Sequence, residues 1–215
     1  TDKRTPPCTK AIIKAGIKKV VIGMKDPNPK VSGKGIEELS KSGINVVSGV
    51  LEEDSMKLNE AYAKYIMTKR PFVILKVAMT LDGKIATPEG ESKWITGEKA
   101  RKEVHRLRSR VDAVMTAIGT VKADDPQLTA RCQGLKVPRV QEIKNPKRIV
   151  IDPNLEIQLN ARVLHTPPET IIVTKGFGVR GQGPGVGEKK KILLDRGVRI
   201  IEYDSERLDL GWLLE

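Results

Sequence analysis

Aromatic residues are scarce in this chain. Of its 215 residues, two are Trp, two are Phe and three are Tyr, which is 3% of the sequence. Proteins that bind single-stranded nucleic acid stack bases on aromatic side chains interleaved with Lys and Arg. The scarcity therefore argues against a basic nucleic-acid-binding module, which only the net charge of +12 suggests. The core must be built from Val, Ile, Leu and Ala, which suits a parallel sheet covered by helices.

Cysteine is also scarce, and long apolar runs are lacking. The two cysteines, Cys8 and Cys132, are too few for a disulfide framework, so we expect a reduced, cytoplasmic protein. No run approaches the ~18 apolar residues of a membrane span, so no membrane partner is expected. Lys and Arg are scattered among Asp and Glu, and the tightest basic run, residues 189–191, is predicted to be a loop. A solvated basic surface explains most of the charge.

Helical and strand patterns alternate through the first 70 residues. The predicted helices cover residues 9–15, 33–42 and 52–70, and the predicted strands cover residues 18–23 and 45–51. Such an order implies parallel strands joined by helices. Pro71 disfavours a helical Arg70, so we predict one domain over residues 1–70 and a second over residues 71–215.

The pattern of the second part of the chain also predicts an α/β domain. The predicted strands cover residues 72–79, 111–118, 148–152, 170–175 and 198–203; a helix capped by Thr96 is predicted over residues 97–110, and another opens at residue 208. A turn is predicted at residues 81–83. Both ends read as interrupted elements, so we expect an internal fragment of a longer protein.

A glycine-rich stretch, residues 176–181, matches G-x-G-x-x-G after a strand. A dinucleotide fingerprint must open a helix, and the glycines and proline of residues 182–187 are not expected to do so. We interpret the stretch as a surface loop.

Several polar residues are predicted at strand ends and at the start of a helix, where side chains can face a phosphorylated ligand and a dinucleotide. Ser92 and Trp94 precede the N-terminus of a helix, which attracts phosphate, and Arg108 and Arg131 suit bidentate phosphate contacts. Asp124 and its neighbour Asp125 suit proton transfer or ligand orientation, although a turn is the simpler interpretation. His105, one turn before Arg108, is more often a packing histidine than a catalyst. No single one of these residues indicates a particular function, but the order in which they occur together does.

That order, with Arg4-Thr-Pro-Pro-Cys8 and Lys76-Val-Ala-Met-Thr-Leu-Asp-Gly, resembles the bifunctional riboflavin biosynthesis deaminase/reductase family. The resemblance implies the C-terminal part of a cytidine-deaminase-like α/β/α domain, followed by the N-terminal part of a dihydrofolate-reductase-like α/β domain. It implies that Cys8 is a zinc ligand whose partner ligands lie upstream. In zinc deaminases the metal activates a water molecule, and a Glu that is not a zinc ligand acts as general acid/base.

The resemblance also assigns the reductase site. It places NADPH at Ala78, Trp94, Thr120 and Asp124, and the phosphoribosyl substrate at Ser92, Arg108, Leu128 and Arg131. Lys76 falls beside the reacting sugar, and either Lys76 or Asp124 handles a proton there. One cofactor position, a small hydroxyl residue, is Pro153 here. A Glu-Gly-Gly motif of the family would come after Glu215.

The implied function is NADPH-dependent reduction of the ribosyl group of 5-amino-6-(5-phosphoribosylamino)uracil to the ribityl product, with a partial zinc-dependent pyrimidine deaminase, a hydrolase, in the same chain. We expect the intact protein to be a homo-oligomer without a nucleic-acid partner. The alternatives are an inactive partial copy of that enzyme and the basic nucleic-acid-binding module considered above.

Overall fold

Short parallel strands joined by helices make up the computed structural model of this protein, which describes residues 7–131, 145–165, 167, 169–176 and 185–214. The predicted α/β class is confirmed. The chain divides into two compact units, residues 1–76 with 209–215 and residues 77–208. The division into domains at Arg70 stays a prediction. In the described part of the chain, no helix has both the length and the apolarity needed to cross a bilayer.

The helices are short, and the strands have four to six residues. The helices are α1 (Cys8–Lys14), α2 (Lys34–Lys41), α3 (Glu52–Leu58), α4 (Glu60–Thr68), α5 (Glu98–Arg108), α6 (Ile118–Asp124), α7 (Val186–Asp195) and α8 (Leu210–Leu213), with a 3-10 helix at Arg162–Leu164. The strands are β1 (Lys19–Ile22), β2 (Asn45–Ser48), β3 (Ala113–Ala117), β4 (Lys147–Ile151), β5 (Thr170–Lys175) and β6 (Arg199–Tyr203).

The first unit has a small sheet and a thin core. Its strands β1 and β2 pair in parallel, with Lys19 opposite Asn45. Among its described residues, Leu39 and Ile44 are the buried apolar side chains, whereas Val21 on β1 is 57% exposed. Little apolar surface is therefore removed from water within this unit.

The single long helix predicted over residues 52–70 is wrong, because the chain forms α3 and α4 instead. Asn59 separates the two helices with φ −108° and ψ 13°. Its side-chain nitrogen donates to the Ser55 carbonyl at 2.8 Å. A side chain that bonds to nearby backbone competes with the helical pattern, so Asn59 ends α3 although the apolar periodicity continues.

The second unit contains a four-stranded parallel sheet in the order β3-β4-β5-β6. The strand predicted over residues 170–175 matches β5 residue for residue, and the other three agree with β3, β4 and β6 to within two residues at either end. The sheet centre is dry, since Val150, Ile172 and Val173 are fully buried, and Leu193 of α7 covers one face. The carboxyl end of β4 therefore adjoins the buried core.

The strand predicted over residues 72–79 is wrong, since this segment pairs with no strand of the described residues. Its apolar side chains are largely exposed, and Leu75 is 87% exposed. A strand is held by hydrogen bonds to a neighbouring strand, so an apolar, β-branched run forms none by itself. The turn predicted at residues 81–83 is confirmed, because Gly83 donates to the Thr80 carbonyl at 3.0 Å and adopts φ 80°.

Sequence periodicity misses both α6 and α7. The helix α7 begins at Val186, so the expectation that residues 182–187 are not helical is wrong for the last two, and the basic run 189–191 lies in a helix rather than a loop. Residues 177–184, which include all but the first residue of the glycine-rich stretch, lie outside the described residues. The predicted cap is also wrong: Gly97, not Thr96, occupies the N-cap of α5, without a side-chain cap bond.

Candidate functional site

Ser92 and Asp124 meet in the second unit. The Ser92 hydroxyl donates to the Asp124 carboxylate at 3.3 Å, across 32 residues of sequence. Asp124 ends α6, and α6 follows β3 directly at its carboxyl end. The structure therefore joins one residue assigned to the substrate with one assigned to the cofactor, at the edge of a parallel sheet where ligands of α/β proteins commonly bind.

Thr120 and Asp124 are four residues apart on α6, so they share one face of that helix. Both side chains are exposed. A hydroxyl and a carboxylate on one exposed face offer a donor and acceptors to the hydroxyls and amides of a bound cofactor. Asp125, by contrast, is structural: with φ 41° it turns the chain, and its carboxylate accepts the backbone N–H of Arg162 at 2.8 Å.

Trp94 presents an open ring beside the start of α5. It is 71% exposed, and the Arg101 guanidinium lies 4.3 Å from its ring centre. Arg101 in turn donates to the Thr96 carbonyl at 2.6 Å. A cation over an indole is held by the ring quadrupole, so Arg101 fixes an indole against which a flat ligand group can stack.

Two arginines and a histidine converge where α5 meets the loop after α6. The Arg108 guanidinium donates to the Thr129 carbonyl at 3.5 Å. The His105 Nδ1 atom lies 3.2 Å from the same carbonyl and accepts the backbone N–H of Arg131 at 3.2 Å. Leu128 anchors this loop, because its side chain is 6% exposed and its backbone adopts φ 55°. Three of the four predicted substrate residues thus belong to one helix-and-loop contact.

Like charges are close together here. Burial and then the charge of Arg131 lower the pKa of Arg108. Burial is also the main cause that lowers the pKa of His105, with the charges of Arg108 and Arg131 acting in the same direction against the Thr129 hydrogen bond. No carboxylate of the described residues forms an ion pair with either arginine. Two neighbouring guanidinium groups without a counter-charge are suited to an anion such as phosphate.

Other predicted residues are not brought together. Lys76 is exposed and belongs to the first unit, whereas Ala78 is half-buried and belongs to the second. Their roles stay predictions. Pro153 presents a carbonyl that is already engaged by the Thr174 hydroxyl at 3.1 Å.

Cys8 is the first residue of α1 and is exposed. Across the described ranges, no group of three or more His, Cys, Asp and Glu side chains is arranged to hold a metal ion. The described residues therefore do not fit a zinc site by themselves, and the role of Cys8 as a ligand stays a prediction. Cys132 lies outside the described residues.

Two residues of the site escape sequence reasoning. The sequence favours a packing role for His105, and no local pattern indicates its contact with Arg131, 26 residues away. Nor does any local pattern mark the contact of Arg101 with Trp94. Both contacts depend on how the loops pack onto α5.

Comparison with known proteins gives a consistent match. Residues 71–180 match the family model described as RibD C-terminal domain. The Riboflavin biosynthesis protein RibD of Aquifex aeolicus is 46% identical over 199 residues, covering 92% of this chain and 51% of that protein. The protein of the same name from Escherichia coli is 40% identical over 173 residues, covering 78% of this chain and 47% of that protein.

Solved structures agree. Acinetobacter baumannii RibD, form 1, superposes with a TM-score of 0.79 at 39% identity, covering all of this chain and 55% of that one. A Thermotoga maritima structure described as a diaminohydroxyphosphoribosylaminopyrimidine deaminase/5-amino-6-(5-phosphoribosylamino)uracil reductase gives 0.70 at 39% identity, covering 94% and 58%. The chain spans about half the length of the curated relatives it matches. The predicted fold assignment and family resemblance are thereby confirmed.

Proposed function

Since the chain belongs to the RibD C-terminal domain family, we propose that its second unit forms the substrate and cofactor surface of an NADPH-dependent reductase. The substrate is 5-amino-6-(5-phosphoribosylamino)uracil, whose ribosyl group is reduced to the ribityl product in riboflavin biosynthesis. The observation that carries the proposal is the proximity of Arg108 and Arg131 near Thr129, because two guanidinium groups without an ion-paired carboxylate among the described residues favour an anion.

The two arginines hold the 5-phosphate of the substrate. Each guanidinium is able to grip two phosphate oxygens at once, and such charge-assisted bonds are about twice as strong as neutral ones. The phosphate is remote from the reacting carbon C1′. The binding energy of the phosphate therefore helps to orient the sugar for reaction, and does more than tighten the binding of the substrate.

The residues assigned to NADPH fit such a cofactor. Trp94 offers a ring held by Arg101, and Thr120 and Asp124 offer a hydroxyl and a carboxylate on one face of α6. Bound NADPH supplies the hydride for C1′. The protein supplies position: the Ser92 hydroxyl fixes the Asp124 carboxylate between the two assigned sites.

A proton must move when the sugar ring opens, because the ring oxygen that leaves C1′ takes one up. Asp124 is held in place by Ser92, and Lys76 is the other group assigned beside the sugar. The variants Lys76→Met and Asp124→Asn distinguish the two residues. The pH profile of kcat should lose one of its limbs in the variant that lacks the proton-transferring residue.

The test compares Arg108→Ala and Arg131→Ala with a control. Loss of a charge-assisted pair costs roughly 1.5–3 kcal/mol, so each variant should reduce kcat/KM for the substrate about ten- to a hundredfold. Binding of NADPH should not change. Lys at either position should restore activity only in part, since it cannot grip two oxygens. NADPH oxidation followed by absorbance, with the substrate and NADPH varied in turn, measures both effects.

The control is Arg106→Ala on the same helix. Arg106 is paired with Glu103 at 2.7 Å on the exposed side, and such surface pairs contribute little. It should leave kcat/KM unchanged. If the Arg108 and Arg131 variants lose NADPH affinity and keep substrate affinity, the assignment of the two ligands is reversed.

We also propose that Cys8 belongs to a zinc-dependent deaminase, which rests on the position of Cys8 and on the description of the Thermotoga maritima structure. The described residues do not supply a ligand set, so no metal-dependent step is assigned to them. We infer that a complete site needs ligands beyond Cys8, as catalytic zinc takes three protein ligands.

A further inference from the structure

The backbone of Arg131 is tied to α5 by a histidine ring. Its N–H donates to the Nδ1 atom of His105 at 3.2 Å. The same loop is tied at two other points: Ala130 donates to the Asn145 side chain at 2.8 Å, and the Thr129 carbonyl accepts from Arg108. Of these three contacts, the ring contact is the one made by the backbone of Arg131, one of the two residues proposed to hold the phosphate.

The contact selects one form of the ring. A backbone N–H has only a hydrogen to offer, so Nδ1 must present a lone pair and the proton of a neutral ring must lie on Nε2. The Thr129 carbonyl, also 3.2 Å from Nδ1, already has Arg108 as a donor. If the proton were on Nδ1 instead, the Thr129 carbonyl would have two donors, Arg108 and His105. The Arg131 N–H would then face another hydrogen and have no acceptor on the ring.

The contact with His105 matters because, among the described residues, the Arg131 side chain has few contacts of its own. Its guanidinium donates to Gln127, four residues earlier in the same loop, at 2.8 Å. This partner moves with the loop and cannot fix it to α5. The nearby positive charge of Arg108 repels Arg131 until an anion is bound. The backbone must therefore be held if both guanidinium groups are to meet one phosphate.

We propose that His105 is a positioning residue for the substrate phosphate: as the neutral Nε2–H tautomer, it holds the Arg131 backbone so that Arg131 and Arg108 face the same anion. The inference rests on the proposed function. Among the described residues, the charged groups that act on the ring are Arg108 from α5 and Arg131 from the loop, and both favour its neutral form. His105 does not touch the reacting atoms.

Two amide substitutions separate the roles of the ring nitrogens. In His105→Asn the side-chain oxygen lies near the place of Nδ1, whereas in His105→Gln the amide reaches toward the place of Nε2. Loss of one hydrogen bond corresponds to about a tenfold change. We expect His105→Gln to raise KM for the phosphoribosyl substrate about tenfold with little change in kcat, and His105→Asn to stay within about threefold of the parent. KM for NADPH should be unchanged in both.

A spectroscopic measurement tests the contact without activity. Nitrogen-15 correlation spectra of the labelled chain should give Nδ1 of His105 the shift of an unprotonated nitrogen, and the Arg131 amide should exchange faster in His105→Gln than in His105→Asn. A protonated Nδ1, or equal KM values and equal amide exchange for the two variants, would overturn the inference. Arg108→Ala tests the proposed function separately. If this variant leaves KM for the substrate unchanged, the assignment of the phosphate site is wrong. The positioning role of His105 is then wrong too, even if the tautomer is the expected one.

Discussion

At the scale of single residues, polar side chains far apart in sequence define the site. Ser92 reaches Asp124 over 32 residues, and His105 reaches Arg131 over 26. In both pairs one member is a short or rigid side chain whose position depends on its backbone. A loop displaced by an ångström would therefore break the contact, since hydrogen bonds weaken steeply with distance and angle.

His105 should make folding stability depend on pH. Its pKa in the folded chain is lowered, mainly by burial, below an unfolded value of about 6.5. The unfolded chain then binds more protons than the folded chain, so the free energy of unfolding should fall as pH drops below about 6.5. Urea unfolding at about pH 7.5 and about pH 5.5 measures this change.

The matched variant is His105→Asn, which keeps the acceptor but does not titrate. It should show a smaller loss of stability over the same pH interval. The carboxylates with lowered pKa values, Glu98, Glu103 and Glu156, act at lower pH and leave this interval clear. Equal pH dependence of the two proteins would contradict the assignment.

At the scale of elements, one buried carboxylate organises the chain after β4. Asp152 is fully buried, and its two oxygens accept the backbone N–H groups of Glu156 and Ile157, each at 2.8 Å. Ile157 itself is fully buried in the core. The turn therefore holds a core residue in place through bonds made by a charged acceptor, which are stronger than neutral ones.

Asp152→Ala should destabilise the chain by roughly 3 kcal/mol or more, because two such bonds are lost and two donors are left without their partner. Asp152→Asn should cost about half of that, since its single carbonyl oxygen serves one N–H. Urea denaturation measures both. Glu156→Gln, an exposed change in the same turn, is the control and should have a far smaller effect. An Asp152→Ala chain as stable as the parent would show that the turn is not held by this carboxylate.

At the scale of the whole molecule, the chain is organised as two units with unequal cores. Among the described residues, the first unit buries Leu39 and Ile44, whereas the second contains a continuous cluster around Val150 and Ile172. Local opening follows the amount of buried apolar contact. The first unit and the segment 72–79, which begins in it, should therefore open at lower free energy than the four-stranded sheet.

Limited proteolysis tests that expectation. Thermolysin cuts before large apolar residues, and residues 72–79 expose several of them without strand pairing, Leu75 above all. An early product should begin between residues 71 and 80, as exposed unpaired segments are the preferred sites of cleavage. Mass spectrometry of the products locates the cut, and Leu75→Gly should slow it. Cleavage within β4 or β5 before any cut in residues 71–80 would contradict the expected order.

The sequence alone determined the class, the family and most of the strands. Hydrophobic periodicity and glycine stops depend on nearest neighbours along the chain, so β5 could be located residue for residue and α2 to within a residue at each end. The resemblance likewise rests on the order of residues. It assigns Ser92, Asp124, Arg108 and Arg131 to one site, although their contacts cannot be read from the sequence.

Only the tertiary structure decided which of those residues meet and which local signals fail. The apolar run 72–79 has strand propensity but no described neighbour to pair with, and the side chain of Asn59 interrupts a helix that periodicity predicts. The ring of His105 faces Arg131 because a loop folds back onto α5. Periodicity repeats over two to four residues, whereas pairing and side-chain contact join residues tens of positions apart, so their outcome is set by how the elements pack.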